Sequence, residues 1–160
     1  MSYDSDVRTV VVSGAAGGIG AAVARRFAAS GATLVLGDLN AVGLEELAGQ
    51  LAALTTVHAL ACDVSVPTDC RNLMDTAAAD AGRVDVLVNT AGVWTEGPSE
   101  ETTEEEWDRT IDVNLKGTFF CCRYAIPHLK KTRGCIINLS SDAGVVGTPE
   151  TAVYLSLIHI

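Results

Sequence analysis

Short apolar segments alternate along the chain with longer segments of helix-forming residues. The apolar segments predict β-strands over residues 9–13, 33–37, 57–62, 84–88 and 134–139. The segments between them predict helices over residues 21–30, 42–54, 67–81 and 104–131. Such alternation implies parallel strands joined by right-handed crossovers, with helices on both faces of the sheet. The predicted fold class is therefore α/β, with a doubly wound parallel sheet in three layers.

Two predicted helices begin at residues that favour a helix start. Thr103 and Glu106 have the spacing of a capping box, in which each side chain binds a backbone N–H of the other residue. Pro67 suits a first helical turn, because its missing N–H has no helical partner there. Gly117 lies inside the predicted fourth helix, where glycine costs about 1 kcal/mol relative to alanine. Close packing and a nearby ligand both explain such a glycine, and the sequence leaves the choice open.

A glycine-rich stretch follows the first predicted strand and precedes the first helix. It reads Ser-Gly-Ala-Ala-Gly-Gly-Ile-Gly from Ser13 to Gly20. Unpaired N–H groups and a partial positive charge at a helix start favour an anionic phosphate. We expect Gly14, Gly18 and Gly20 to allow a tight turn, close approach of a ligand and close packing of helix on strand. The spacing differs from GxGxxG, and a glycine turn without a ligand remains the alternative.

Polar residues follow several predicted strands, at the end of the sheet where α/β proteins bind ligands. Asp38 follows the second strand, close to the spacing of roughly 20 residues beyond the glycines that is typical of an acid binding the adenosine ribose. Helix capping is the alternative role for this residue. Its carboxylate repels a 2′-phosphate, and residues 15–17 and 39–41 contain no lysine or arginine. The sequence therefore favours NAD over NADP.

The composition narrows the class of partner and the compartment. The chain has 160 residues, a formal net charge of -9 and a pI near 4.6, which argue against nucleic-acid and anionic-membrane partners. Its apolar runs are too short to span a bilayer, and residues 1–6 lack the features of a signal peptide. Five cysteines without a CxxC pair, together with scattered histidines, predict reduced thiols and no metal site. We expect a cytoplasmic protein.

Ordered motifs resemble those of the short-chain dehydrogenase/reductase family over nearly the whole chain to Tyr154. The family's TGxxxGIG corresponds to residues 13–20, with Ser13 in place of threonine. Its Asp-Val corresponds to Asp63 and Val64, and its NNAG corresponds to Asn89, Thr90, Ala91 and Gly92. The family's helix asparagine is Asn114, its serine after the fifth strand is Ser141, and its tyrosine is Tyr154.

The resemblance implies a Rossmann-type fold, cut short after about five strands, and hydride transfer between a nicotinamide cofactor and an alcohol or carbonyl substrate. Tyr154 would move the hydroxyl proton, Ser141 would hydrogen-bond the substrate oxygen, and Asn114 would hold a water in a proton relay. The implied cofactor-binding residues are Ser13, Gly14, Gly18, Ile19, Gly20, Asp38, Leu39, Asp63, Val64, Asn89, Ala91 and Gly92. The parent protein would be a homodimer or homotetramer. A methyltransferase with a similar glycine loop would explain Asp38 but leaves the three catalytic candidates without a purpose.

The end of the sequence departs from the family pattern. The family has a lysine four residues after the tyrosine, and that position is Ile158. A phenol with a pKa of about 10 needs a nearby cation to act as a base near pH 7, and isoleucine supplies none. Residues 155–160 also resemble the translated end of a transposon adapter. We therefore expect a dinucleotide-binding domain over residues 1–154, a non-native tail over residues 155–160, and little or no turnover.

The ending of the sequence also raises one structural expectation and one alternative function. The fifth strand would lie at an exposed, apolar edge of the sheet, because nothing in the remaining sequence predicts a strand beside it. A natural, non-catalytic dinucleotide-binding or regulatory protein that lacks the lysine is the alternative to an enzyme fragment. Sequencing the source locus distinguishes the two, since native codons for residues 155–160 would exclude an adapter.

Overall fold

The computed structural model describes residues 8–159, so the expectations for residues 1–6 and for Ile160 lie outside the described residues. The strands are β1 (Thr9–Ser13), β2 (Thr33–Asp38), β3 (Val57–Ala61), β4 (Val86–Asn89) and β5 (Cys135–Asn138). The α-helices are α1 (Gly18–Ala28), α2 (Ala41–Leu51), α3 (Pro67–Asp80), α4 (Glu104–Ile111), α5 (Thr118–Thr132) and α6 (Ala152–His159). A π-helical segment, Asp112–Gly117, joins α4 to α5, and 3₁₀ turns cover Ser99–Glu101 and Asp142–Gly144.

The sheet is parallel throughout and has the strand order β3-β2-β1-β4-β5. The chain builds outward from β1 through β2 to β3, then crosses back to place β4 on the other side of β1. This reversal between β1 and β4 is a topological switch point, where a crevice opens at the carboxyl ends of the strands. The predicted doubly wound α/β class is confirmed.

The alternating side chains of the central strands supply two hydrophobic cores. Val10 and Val12 point to one face, where they pack with residues of β2, β4, α1 and α2. Val11 points to the opposite face, where it packs with residues of α3 and α5. All three valines are fully buried. Helices therefore cover both faces of the central sheet and form the expected three layers.

The prediction of one regular helix over residues 104–131 is wrong in its middle. The π-helical segment interrupts it, and Gly117 closes that segment. A Cβ at Gly117 would lie 2.8 Å from Val64 Cγ2 and 3.0 Å from the Val64 carbonyl oxygen. Close packing against Val64 therefore explains the glycine.

Other boundaries follow the sequence signals closely. The capping box is confirmed, because Thr103 Oγ1 accepts from Glu106 N–H at 3.2 Å and Glu106 Oε2 accepts from Thr103 N–H at 2.9 Å. Pro67 is the first residue of α3, as predicted. Helix α1 begins at Gly18 rather than at residue 21, so the last glycines of the glycine-rich stretch form its first turn. Within residues 8–159, no helix has both the length and the apolarity needed to cross a bilayer.

Candidate cofactor and catalytic site

The glycine-rich stretch forms a tight turn between β1 and α1. Gly14 has a φ of 71°, which a side chain disfavours, and a Cβ there would lie 2.5 Å from the Ala91 nitrogen. A Cβ at Gly20 would overlap the Gly14 carbonyl oxygen and lie 2.7 Å from Thr90 Oγ1. Gly18, by contrast, faces open space. The turn therefore packs tightly against the β4 end and leaves room beside the start of α1.

The start of α1 has the properties of an anion-binding site. Its N-cap is Gly17, and no side chain caps the N–H groups of the first turn in the described part of the chain. Gly18 and Ile19 are exposed at this turn, whereas Gly20 and Ser13 are buried. Free N–H groups and the helix dipole both favour a phosphate at such a position. The cradle therefore fits the pyrophosphate of a dinucleotide.

Asp38 connects the glycine turn to α2. Its Oδ2 accepts from the Ala16 N–H at 2.8 Å, and its Oδ1 accepts from the Asn40 N–H at 2.8 Å. The N-cap of α2 is Asn40, whose side chain accepts from the Gly43 N–H, so Asp38 does not cap this helix. A carboxylate has about four acceptor positions, so two remain for ribose hydroxyls. Leu39 follows at 72% exposure, and both residues line a cleft of about 620 Å³ at this edge of the sheet.

The next wall is formed where β3 ends. Asp63 Oδ1 accepts from Ser65 N–H at 2.9 Å and from Ser65 Oγ at 2.6 Å, which fixes the turn. Val64 is buried against Gly117 of the π-helical segment. Val113, from the same segment, lines the cleft beside Val64. These valines give the cleft an apolar wall of the kind that suits a planar base.

The end of β4 is held by a row of polar side chains across three strands. Ser13, Asn89 and Asn138 occupy one register row on β1, β4 and β5. Ser13 Oγ donates to Asn89 Oδ1 at 3.2 Å, and Asn89 Nδ2 donates to Asn138 Oδ1 at 2.8 Å. Thr90, which replaces the second asparagine of NNAG, donates to the Ser13 carbonyl oxygen at 2.6 Å. The substituted turn is therefore still tied to β1.

Asn114 lies in the π-helical segment and holds the loop after β4. Its Oδ1 accepts from Val93 N–H at 3.1 Å, and its Nδ2 donates to the carbonyl oxygens of Val93 and Thr110, both at 3.0 Å. Both amide protons are used, whereas Oδ1 keeps one lone pair for a further donor. π-helical turns are often found at functional sites. This one places Asn114 beside Gly92, in the wall of a second, smaller cleft of about 420 Å³.

Ser141 and Tyr154 line the same second cleft as Asn114. Ser141 Oγ accepts from Ala143 N–H at 3.2 Å and donates to Asp142 Oδ1 at 3.3 Å. The Tyr154 ring stacks obliquely on Trp94, with 4.6 Å between the ring centroids. Ile158, one turn further along α6, lines the cleft with Tyr154. The position of the family lysine therefore faces the catalytic candidates.

Two adjoining clefts contain most of the sequence-predicted site. The larger, of about 620 Å³, is lined by Gly14, Asp38, Leu39, Asp63, Val64, Ala91 and Gly92 among the predicted residues. The smaller, of about 420 Å³, is lined by Ile19, Asn89, Ala91, Gly92, Asn114, Ser141 and Tyr154. Residues 90–93 line both clefts and join them. Ser13, Gly18 and Gly20 line neither cleft and instead shape the turn between them.

Sequence reasoning missed several residues of these clefts. Arg109 and Val113 face the larger cleft from α4 and the π-helical segment, and Leu157 lines the smaller one. A helical period places Arg109 and Val113 on one face, but it does not show which face meets the ligand. Their contribution depends on how α4 packs over the sheet, for which the sequence carries no local signal.

The thiols near the site are mostly buried and lie in no disulfide. Burial raises the pKa of Cys62 to about 12, with neighbouring Cys70, Asp69, Asp63 and Asp38 adding to the effect. A hydrogen bond between Cys70 and Cys121 raises the pKa of Cys121 and lowers that of Cys70. Among the described residues, no group of three or more His, Cys, Asp or Glu side chains is placed to hold a metal ion.

A glycine-lined helix start, an acid at the end of the second strand and a crevice at the switch point together define a dinucleotide-binding α/β protein. The family model described as short chain dehydrogenase matches residues 8–156, and the chain belongs to this family. It is 40% identical over 160 residues to a D-threitol dehydrogenase from Mycolicibacterium smegmatis, covering 96% of this chain and 62% of the relative. It is 40% identical over 156 residues to a meso-2,3-butanediol dehydrogenase from Serratia marcescens, covering 96% of this chain and 60% of that relative.

A solved structure supports the same family assignment. A short chain dehydrogenase/reductase from Burkholderia phymatum, in complex with NAD, superposes with a TM-score of 0.92 at 30% identity. The match covers 96% of this chain and 56% of that chain. The sequence therefore spans about three-fifths of the length of the relatives it matches.

Proposed function

We propose that the chain is part of an NAD-dependent oxidoreductase that acts on an alcohol or carbonyl. This part binds the dinucleotide and carries the catalytic candidates Asn114, Ser141 and Tyr154. The observation that carries this proposal is the pair of adjoining clefts at the β1–β4 switch point. One contains the glycine turn and Asp38, and the other contains Asn114, Ser141 and Tyr154. When bound, the nicotinamide supplies hydride acceptance or donation.

Each catalytic candidate has a defined task in this proposal. Tyr154 moves the proton of the substrate hydroxyl, and Ser141 Oγ turns from Asp142 to donate to the substrate oxygen. The free lone pair of Asn114 Oδ1 accepts from a relay water. Trp94 packs obliquely against the Tyr154 ring and helps to hold it in the cleft. The names of the relatives make small vicinal diols the first substrates to test.

The cofactor preference is tested by direct titration. The carboxylate of Asp38 faces the larger cleft, and residues 15–17 and 39–41 offer no cation to a 2′-phosphate. NADH is therefore expected to bind more tightly than NADPH to the purified 160-residue chain, measured by nicotinamide fluorescence. Tighter binding of NADPH would reverse the preference, and binding of neither would contradict the proposed function.

The catalytic competence of this chain depends on Ile158. A lysine at this position would bring an ammonium group to the cleft that contains Tyr154 and favour its phenolate. We propose that residues 1–154 are the nucleotide-binding unit, that residues 155–160 are foreign to it, and that turnover is very low without the lysine. Ile158→Lys should raise the rate of NAD-dependent diol oxidation, and Ile158→Lys combined with Tyr154→Phe should remove the gain. An unchanged rate would favour the second candidate, a dinucleotide-binding protein without catalysis, which Ile158 itself suggests.

We also propose a homodimer or homotetramer for the parent protein and a cytoplasmic location. Leu115, Phe119 and Ile126 project from the π-helical segment and α5, and each is more than two-fifths exposed. An apolar helix face of this kind suits a subunit contact. Five unpaired thiols suit a reducing compartment. Sedimentation analysis tests the oligomeric state, and fractionation of the source cells tests the location.

A further inference from the structure

The larger cleft is rich in carboxylates, most of which already have partners. Asp38 accepts from two backbone N–H groups, and Asp63 accepts from Ser65. Asp112 forms an ion pair with Lys116, with 2.8 Å between Oδ1 and Nζ. Asp112 therefore already has a cation, whereas Asp38 keeps two acceptor positions for ribose hydroxyls. One guanidinium nevertheless lines the cleft, that of Arg109.

Arg109 lies on α4, one helical turn before Val113, and both residues line the larger cleft. Glu105 precedes Arg109 by four residues, the favourable order for a helical ion pair. No salt bridge joins them, and within residues 8–159 the guanidinium of Arg109 has no hydrogen-bond or ion-pair partner, while its backbone carbonyl accepts from Asp112 N–H. Its side chain is exposed at the rim of the cleft. The guanidinium is therefore available to whatever occupies this cleft.

The position of Arg109 assigns it to one half of a dinucleotide. Asp38 is the last residue of β2, and Asp63 and Val64 follow β3, so this side of the switch point is the adenosine side. The pyrophosphate cradle is at the start of α1, and the catalytic candidates are in the other cleft. Val64 and Val113 give the base an apolar wall. A flat guanidinium one turn from Val113 suits the face or the acceptor nitrogens of a purine.

We propose that Arg109 is a specificity-determining residue that covers the adenine of the bound cofactor, an inference that rests on the proposed dinucleotide function. Its planar guanidinium contacts the base, and its charge does not serve a phosphate. The contact is at an exposed rim, so its contribution is modest. It selects for an adenine-containing ligand over one without a base.

The test compares variants of the 160-residue chain in binding to NADH, 5′-AMP and NADPH at one ionic strength. Arg109→Ala should lower the affinities for NADH and for 5′-AMP about two- to fivefold, by the same factor, because both ligands contain the adenine. The affinity for NADPH should fall by that factor and no more. Arg109→Lys should recover only part of the loss, since lysine keeps the charge and lacks the plane. Arg26→Ala, an equal charge change on α1 outside the cleft, should bind like the parent chain.

Each outcome bears on a separate claim. Full affinity in Arg109→Lys would show that charge suffices and would overturn the base contact. A larger loss for NADPH than for NADH would assign Arg109 to the 2′-phosphate and overturn it as well. Unchanged binding in Arg109→Ala would overturn the inference while leaving the proposed function intact. Failure of the parent chain to bind NADH and 5′-AMP would instead overturn the proposed function.

Discussion

Single glycines determine how closely the first helix approaches the sheet. Gly20 lies in the first turn of α1, where a Cβ would collide with the Gly14 carbonyl oxygen and with Thr90 Oγ1. Gly20→Ala should therefore lower the free energy of unfolding by about 1–3 kcal/mol, the usual cost of overpacking. Gly49, in α2, faces open space, so Gly49→Ala should raise it by up to about 1 kcal/mol. Urea unfolding followed by circular dichroism measures both, and equal stability of Gly20→Ala and the parent would contradict the packing argument.

The cysteines differ in exposure, and this difference predicts their reactivity. Cys135 is exposed on β5, whereas Cys62, Cys70 and Cys121 are buried. Thiolates are the reactive form, and burial raises the pKa of Cys62 to about 12, which keeps it protonated. An aromatic disulfide reagent should label Cys135 rapidly and the buried thiols only on unfolding. Cys135→Ser should remove the fast phase. Because Cys122 is half-buried, the control carries both Cys122→Ser and Cys135→Ser, and a fast phase that persists there would contradict the burial of Cys62, Cys70 and Cys121.

At the scale of elements, α4 has a pH-sensitive start. Hydrogen bonds from the backbone N–H and hydroxyl of Thr103 lower the pKa of Glu106 below its ordinary 4.5. A depressed pKa in the folded state means that Glu106 stabilises α4 above pH 4.5, and that this contribution is lost as the pH falls through the folded-state value. The helix content of the unsubstituted 160-residue chain should exceed that of Glu106→Ala at neutral pH and match it in acid. A difference that is constant across this range would exclude the carboxylate as the cause.

Local signals predicted the elements well where the cause is local. The apolar runs located every strand of the sheet, and Thr103 with Glu106 located the start of α4. The π-helical segment was not predicted, and the packing of its Gly117 against Val64 involves a distant part of the chain that no local pattern shows. The glycines and Asp38 were also identified from the sequence, because each has a fixed spacing from the end of one strand. Arg109 depends on helix packing and was missed.

At the scale of the molecule, the two edges of the sheet are unequal. The expectation of an exposed, apolar fifth strand is confirmed, because β5 lies at one edge with Ile137 at 44% and the following Leu139 at 42% exposure. On the opposite edge strand, β3, the exposed residues are Ala59 and Ala61, and the larger side chains are half-buried. An apolar edge with unpaired backbone groups is a template for pairing with a second chain. Any β-mediated self-association should therefore run through β5.

The final prediction tests this asymmetry with one charge at each edge. Ile137→Lys places a cation on the apolar edge and should reduce light scattering at a fixed protein concentration several-fold, since edge lysines oppose strand pairing. Ala59→Lys places the same charge on β3 and should leave the scattering close to that of the parent, because that edge offers little apolar surface. The folded state should survive both changes, as each position is already exposed. If Ala59→Lys suppressed scattering and Ile137→Lys did not, association would run through β3, and the exposed isoleucine would be incidental.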